Sequence, residues 1–350
     1  MKSIFLFIVL FVTLSTCNAQ KVQMVVNPYE KVDWKKTIQY KANFHTHTNN
    51  SDGSFNAEYV VDTYAKNNYP IVMITDHNLV TYPWTNFSKL NPKWEDRNPK
   101  SMKILTFPAN ELSEGHHRGM FFANITGGGE DLDATFKQIN DSAALSIFNH
   151  PGRYWDVKKK YTGKEKYSPE WYVEYFKKYP ALVGIEVYNC PVDRYPYDRI
   201  LWDEILTRSM PDRPVWGYSN DDMHGTEQLM GNYEFMLMKE LSIPALKRAM
   251  KEGSFYISNE PGKSGAALAP RIDSIKVDKK LHEIKVFARD SKSIRWISGV
   301  SGNDSTRTNN VIAEGLVFNY KNFDKSYVRF ELINDKGRTL SQPFGFSISK

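Results

Sequence analysis

Seven of the eight histidines in this 350-residue chain fall in short motifs that also carry carboxylates. In order these are His45, His47 and Asp52; Asp76 and His77; Glu111, with His116 and His117 close behind; His150; Glu186; and Asp222 with His224. Imidazole nitrogens and carboxylate oxygens are ligands for divalent cations. In His45-Thr46-His47 the two imidazoles share one face of an extended segment, because side chains alternate along a strand. Asp222-Met223-His224 repeats that spacing with a carboxylate. Two such clamps already supply four ligands, and Glu111, His77, His116 and His150 exceed what one tetrahedral ion uses. The pattern therefore predicts two to three divalent ions, with Glu111 bridging. His282 alone is left outside it.

Adjacent divalent ions lower the pKa of a shared water and neutralise a phosphoryl oxygen, so the expected chemistry is hydrolysis by a metal-bridging hydroxide. A protein base is then not required. Asp76 or Glu186 would hydrogen-bond a ligating histidine and fix its tautomer, and Arg153 is a candidate phosphate contact. Each motif has a plainer alternative: Ser51-Asp52-Gly53 is also strong turn chemistry, Glu186 can simply close a strand, and Asp221 reads either as a solvated carboxylate or as one that supports the ligands from behind.

Residues so far apart must be carried to one place by regular elements. Short apolar runs at 42–44, 71–74, 104–107, 144–148, 182–187 and 215–218 read as buried strands. Helical spacing at 57–67, 170–178, 197–208 and 243–252 alternates with most of them, which is the pattern of repeated βα units. Parallel units of this kind bring their strand ends to one face. The stretch from Asn78 to Lys100 reads as a long loop. After Pro270 helices disappear and strands alternate, which predicts a small antiparallel β-sandwich. The expected division is a leader at 1–19, a catalytic unit at 20–262 and a C-terminal β-domain at 270–350.

The chain is 41% hydrophobic and 14% aromatic, enough for a large core, and its net charge of +6 is spread without a basic block. That favours an anionic small-molecule substrate, a phosphate ester above all, over nucleic acid. Met1-Lys2-Ser3 followed by an apolar run too short to span a bilayer predicts a signal peptide cleaved after Ala19. A competing reading takes Leu14-Ser15-Thr16-Cys17 as a lipoprotein box with a lipid anchor at Cys17. Both readings place the protein outside the cytoplasm, in the periplasm, secreted or on the envelope. No later run predicts a transmembrane segment. Cys17 and Cys190 are the only cysteines, so no internal disulfide is expected and a metal must rely on nitrogen and oxygen.

Taken together, Phe44-His45-Thr46-His47 with Ser51-Asp52-Gly53, Ile74-Thr75-Asp76-His77, Asn110-Glu111, Asn149-His150-Pro151-Gly152 and Asp222-Met223-His224 resemble the polymerase and histidinol phosphatase (PHP) superfamily. The order of motifs matches over about residues 40 to 260. The resemblance implies a distorted (β/α)7 TIM-like barrel, a trinuclear Zn, Mn or Fe site, and phosphoesterase activity as the commonest outcome. It implies His45, His47, Glu111, His150, Asp222 and His224 as metal ligands, with His77 and Asp52 completing the set. A further histidine is expected after the glutamate; His116 and His117 both offer it, and the His-x-x-Gly spacing to Gly119 favours His116. Asp52 stands where some members carry a histidine. Relatives of exported members hydrolyse carbamates or other non-phosphate esters, so a carbamate, ester or amide hydrolase on the same site is the alternative.

Overall fold

The computed structural model describes residues 21–83, 102–126, 129–190, 195–303 and 306–349. The expected leader, Cys17 included, lies outside these residues, as does most of the loop expected from Asn78 to Lys100. Helices form at Ala57–Lys66, Pro169–Lys178, Asp198–Ser209 and Ile243–Glu252, where the apolar spacing predicted them. Side-chain caps start three of these: Asn56 accepts from the Tyr59 N–H, Ser168 from Trp171 and Ser242 from Ala245. A fifth helix, Leu132–Asp141, buries Leu132, Thr135, Phe136 and Ile139. Its narrow stripe includes a threonine, which hid it from the pattern of apolar residues.

The expected barrel does not form. Among the described residues there are five helices against eighteen strands, and the strands make three sheets that are not closed into a barrel. Parallel pairing joins Ile38–Asn43 to Ile71–Val72, Leu145–Phe148 to Leu182–Asn189, and Leu182–Asn189 to Trp216–Asn220. Other pairs run antiparallel. Ala109–Leu112 and Arg118–Phe121 form a hairpin, and the second of these pairs antiparallel with Leu145–Phe148. The five residues between them are too few for a crossover. Asn232–Met238 and Phe255–Asn259 pair antiparallel although helix Ile243–Glu252 lies between them in sequence. The run at 104–107 contributes only a single-residue bridge, Leu105 to Ile71. Buried apolar runs say that a strand is covered on both faces; they do not give its direction.

Strands after Pro270 pair antiparallel, but most do not stand apart. Ser293–Ser301, Thr308–Glu314, Tyr327–Ile333, Arg338–Leu340 and Phe344–Ser349 belong to the ten-stranded sheet that also holds Lys21–Val26, Ile38–Asn43, Ile71–Val72, Asn232–Met238 and Phe255–Asn259. Arg271–Asp278, Glu283–Arg289 and Val317–Asn319 form a separate three-stranded sheet. One apolar cluster, with Trp202, Phe148 and Tyr218, fills the space around the five-stranded sheet; a second, with Trp296, Phe330 and Ile284, lies between the other two sheets. No described helix is long and apolar enough to cross a membrane.

Two polar contacts tie late residues to earlier elements. The Gln342 side chain accepts from the Gly217 N–H at 2.9 Å and donates to the Gly217 carbonyl at 2.8 Å, acting as a piece of strand beside Trp216–Asn220. Arg329, fully buried, donates through Nε and Nη2 to the two oxygens of Asp203, each at 2.8 Å, and through Nη1 to Glu331 at 3.0 Å. Asp203 also accepts from the Tyr327 hydroxyl at 2.8 Å. Removing one partner of such a pair strands a charge without water. Asp203→Ala should therefore cost about 3–5 kcal/mol in denaturant unfolding, and a loss below about 1 kcal/mol would show that solvent reaches the guanidinium.

Candidate metal centre

The candidate residues lie in or just beyond strands whose ends are stitched together. The His47 N–H donates to the Met223 carbonyl at 2.8 Å and the Asn78 N–H to the Glu111 carbonyl at 2.8 Å. Single parallel bridges at Thr46–Met223 and His77–Glu111 accompany these bonds. The link from strand Ile38–Asn43 thus lies beside that from Trp216–Asn220, and His77 lies beside Glu111 on Ala109–Leu112. Gly53 closes the turn that returns Asp52 to the cluster: a Cβ there would stand 2.6 Å from the His47 carbonyl.

The result is four overlapping groups whose ligand atoms lie within 4.8 Å of one another: His47, Asp52, His77 and His224; His45, His47 and Glu111; His45, His150 and Asp222; and His77, Glu111 and His117. His45 and His47 face each other Nε2 to Nε2 at 3.1 Å, and each is 3.2 Å from Asp222 Oδ1. Glu111 Oε1 is 3.1 Å from His117 Nδ1 and 3.1 Å from His150 Nε2, while its Oε2 is 3.1 Å from His77 Nδ1. Asp52 reaches His77 and His224, both at 3.3 Å. His45 and His47 are completely buried, whereas the Asp52 side chain is 53% exposed and forms the open side with His77 and His224.

Glu186 approaches through its neighbours. Its Oε1 accepts from His45 Nδ1 at 2.8 Å and from Asn220 at 2.9 Å; its Oε2 accepts from the His150 N–H at 2.7 Å and from Asn189 at 3.0 Å. A proton on His45 Nδ1 leaves the Nε2 lone pair directed at the cluster. His150 and Asp222 both have positive φ, 27° and 47°, a backbone state that costs non-glycine residues on the order of 1–3 kcal/mol. The Glu186 bond to the His150 N–H is one of the contacts that pays for it.

Electrostatics follows the crowding. Burial opposes charge on His45, yet Asp222, Glu111 and Glu186 together raise its pKa well above the ordinary value. Burial likewise pushes Glu111 and Asp222 upward, and the surrounding imidazoles reverse this, holding both well below the usual carboxylate range. Glu111 Oε2, Asp222 Oδ1, His77 Nδ1 and His150 Nδ1 are buried without a hydrogen-bond partner among the described residues. Buried polar atoms are normally satisfied. Several unsatisfied atoms converging with facing imidazole nitrogens are what a set of cation ligands looks like, so these residues fit divalent metal ions.

Four sequence readings come out differently. His116 is not in the cluster; His117 is. The strand Arg118–Phe121 is entered so that consecutive side chains diverge, and His116 turns into an aromatic nest. Its Nδ1 bonds the His117 carbonyl at 2.8 Å, its Nε2 bonds the Tyr172 hydroxyl at 2.8 Å, and its ring stacks on Tyr154 at 4.1 Å. Asp76 bonds no histidine. It accepts from the Thr48 N–H at 2.7 Å, the Thr48 hydroxyl at 2.7 Å, Ser51 at 2.9 Å and Thr81 at 2.5 Å, and so fixes the turn that presents Asp52. Arg153 is exposed on the short 3-10 turn Pro151–Arg153 and pairs with no described carboxylate. Asp221 is buried rather than solvated: Tyr64 and the N–H groups of Met230, Gly231 and Asn232 donate to it. Burial raises its pKa to about 6 against these donors. Sequence reasoning missed Asn220 and Asn189 as Glu186 partners and Asn149 as a 2.9 Å donor to Glu111. Asn149 and Asn220 each come within two residues of a histidine or aspartate of the cluster, the signal that could have found them.

No protein-family model and no curated protein matches this chain. Among solved structures it is similar to a two-domain protein from Bacteroides vulgatus containing a predicted PHP-like metal-dependent phosphoesterase, at 16% identity and a TM-score of 0.50. The match covers 93% of this chain and 98% of that one. That is a likeness of fold, extending through both halves of the sequence.

His116 gives a test of the local geometry. Burial holds its pKa well below 6.5, the His117 carbonyl opposing and His150, His117 and Arg118 adding to it. The folded state therefore keeps it neutral while the unfolded chain protonates it below about 6.5. Its stabilisation is present above that pH and is lost as pH falls, by up to about 1.4 kcal/mol per unit. The stability gap between wild type and His116→Asn should narrow from about pH 7.5 to about pH 5. A gap that does not change with pH would mean the imidazole is charged in the fold.

Proposed function

We propose that this protein is a metal-dependent hydrolase, most simply a phosphoesterase, acting on a small molecule outside the cytoplasm. The convergence of His45, His47, Asp52, His77, Glu111, His117, His150, Asp222 and His224 on shared space, with buried lone pairs that have no other partner, carries this reading. The fold likeness to a protein containing a predicted PHP-like metal-dependent phosphoesterase supports it. Those nine residues would hold two to three divalent cations. Cations held there supply Lewis acidity toward an ester oxygen and toward water.

What the chain itself does follows from its contacts. Glu186 keeps the proton on His45 Nδ1 and grips the His150 backbone. Asp76 holds the turn that carries Asp52. His45 and His47 are closed off from solvent, and Asp52, His77 and His224 remain reachable, so the substrate approaches from that side. Glu111 and Asp222 stay ionised because their neighbours hold their pKa values low.

Export rests on the N-terminal residues alone, with the lipid anchor at Cys17 as its variant. Hydrolysis of a carbamate, ester or amide by the same residues is the second reading, because water activated by such cations does not dictate phosphorus as the electrophile.

Purified protein should contain stoichiometric metal and release p-nitrophenol from p-nitrophenyl phosphate or its bis-ester in a metal-dependent way. Asp222→Ala should lose metal and at least about 100-fold in turnover, Glu186→Gln about 10- to 100-fold in metal affinity or activity, and His282→Ala neither. Higher rates on aryl esters or carbamates would select the second reading; protein without bound metal that hydrolyses none of these would sink both.

A further inference from the structure

A cavity of about 530 Å³ opens away from the metal cluster, between strand Ile38–Asn43, the end of helix Ala57–Lys66 and residues 265–267. Its size suits a small organic molecule. Every charged side chain that lines it is a cation: Lys41, Lys103 and Arg271. Tyr69, Phe235 and Ile104 supply apolar wall.

Among the described residues, neither inner cation has a carboxylate within ion-pairing distance. Lys41 is buried, 6% exposed, and donates to the Gly265 carbonyl at 2.7 Å. Its ammonium lies 3.9 Å from the Tyr69 ring centroid and 4.8 Å from that of Tyr233. Gly265 makes this approach, with φ +69° and room for no Cβ, which would stand 2.7 Å from Asn67. The Arg271 guanidinium stacks on Phe235 at 4.1 Å and gives one bond, to Gln39 at 2.7 Å. Its Nε is buried with no acceptor. Neither residue forms an ion pair with a described carboxylate, in contrast to Arg329 and Arg208. Burial lowers the Lys41 pKa to about 8, with Asp221 and Glu260 opposing from a distance and Arg271 adding to the shift. A buried ammonium and a buried guanidinium nitrogen without an acceptor are costly to hold, and an anion seated between them offsets that cost.

We propose that this cavity is a second ligand site, which binds a small organic anion through a phosphate or carboxylate group. The acidic group pairs with Arg271 and Lys41, Lys103 closes the rim, and the carbon frame packs on Tyr69 and Phe235. The site is independent of the metal reading and does not use the cluster's residues.

Titration calorimetry with inorganic phosphate, glycerol 3-phosphate and citrate on four proteins tests it: wild type, Arg271→Gln, Lys103→Asn and Asp222→Asn. Lys103 is exposed and has φ 56°, which asparagine tolerates, so that variant folds even if Arg271→Gln does not. At least one anion should bind wild type at a site whose affinity falls tenfold or more in Arg271→Gln and several-fold in Lys103→Asn, and Asp222→Asn should retain that site even where a second, metal-linked binding step is lost. The phosphate and citrate arms decide which acidic group is preferred. Binding that survives both cavity substitutions but vanishes in Asp222→Asn overturns the cavity site and leaves the hydrolase standing. No binding of any of the three anions to wild type also overturns it.

Discussion

Lone pairs that face one another across about three ångströms in a dry space repel, and this fold forces several of them to do so. The His45 and His47 nitrogens, Glu111 and Asp222 are brought within such distances, and water is excluded from most of them. A cation converts that repulsion into attraction, and protons on the imidazoles do so only partly. Everything around the cluster acts to keep the arrangement from relaxing. Glu186 spends all its acceptor capacity on His45, His150, Asn189 and Asn220, so the innermost imidazole cannot turn away.

Behind that carboxylate lies a layer of buried amides and acids rather than an apolar floor. Asn220 accepts from the Phe44 N–H while donating to Glu186, and Asn232 donates to the Asn220 carbonyl while Asp221 holds the Asn232 N–H. These bonds tie the strands that lead to the cluster to one another and to Asn232–Met238 beside them. Such a network is costly when half satisfied and rigid when complete, which suits a site whose ligand atoms must be held in place. Asp76 does the same for the exposed side through Thr48, Ser51 and Thr81.

Much of the site was legible because its geometry is local. Histidines two apart on an extended segment share a face, so His45 with His47 and Asp222 with His224 could be read as pairs, and the motif order carried the rest. The choice between His116 and His117 was not local. It depends on Tyr172, Tyr154 and Trp171 gathering around one ring, and those residues lie 38 to 56 positions away. The roles of Asp76 and Asp221 were hidden for a related reason: Asp76 is held by hydroxyls and one N–H of neighbouring turns and Asp221 by three backbone N–H groups and the distant Tyr64, partners that composition does not display. Strand direction was the largest misreading. A run such as Leu145–Phe148 is equally apolar whether its neighbour runs with it or against it, and here Arg118–Phe121 runs against it on one side while Leu182–Asn189 runs with it on the other.

The Gln342 amide completes the edge of the strand that delivers Asp221 and Asp222, and Phe344–Ser349 pairs with both Lys21–Val26 and Tyr327–Ile333. The cluster-bearing half is therefore not finished by its own sequence. During synthesis the strand ending at Asn220 waits for residues made more than a hundred positions later, and its closure entropy is met only at the end. A cation that needs those ligands already in register would then be captured only after the last strands of the nascent protein are in place.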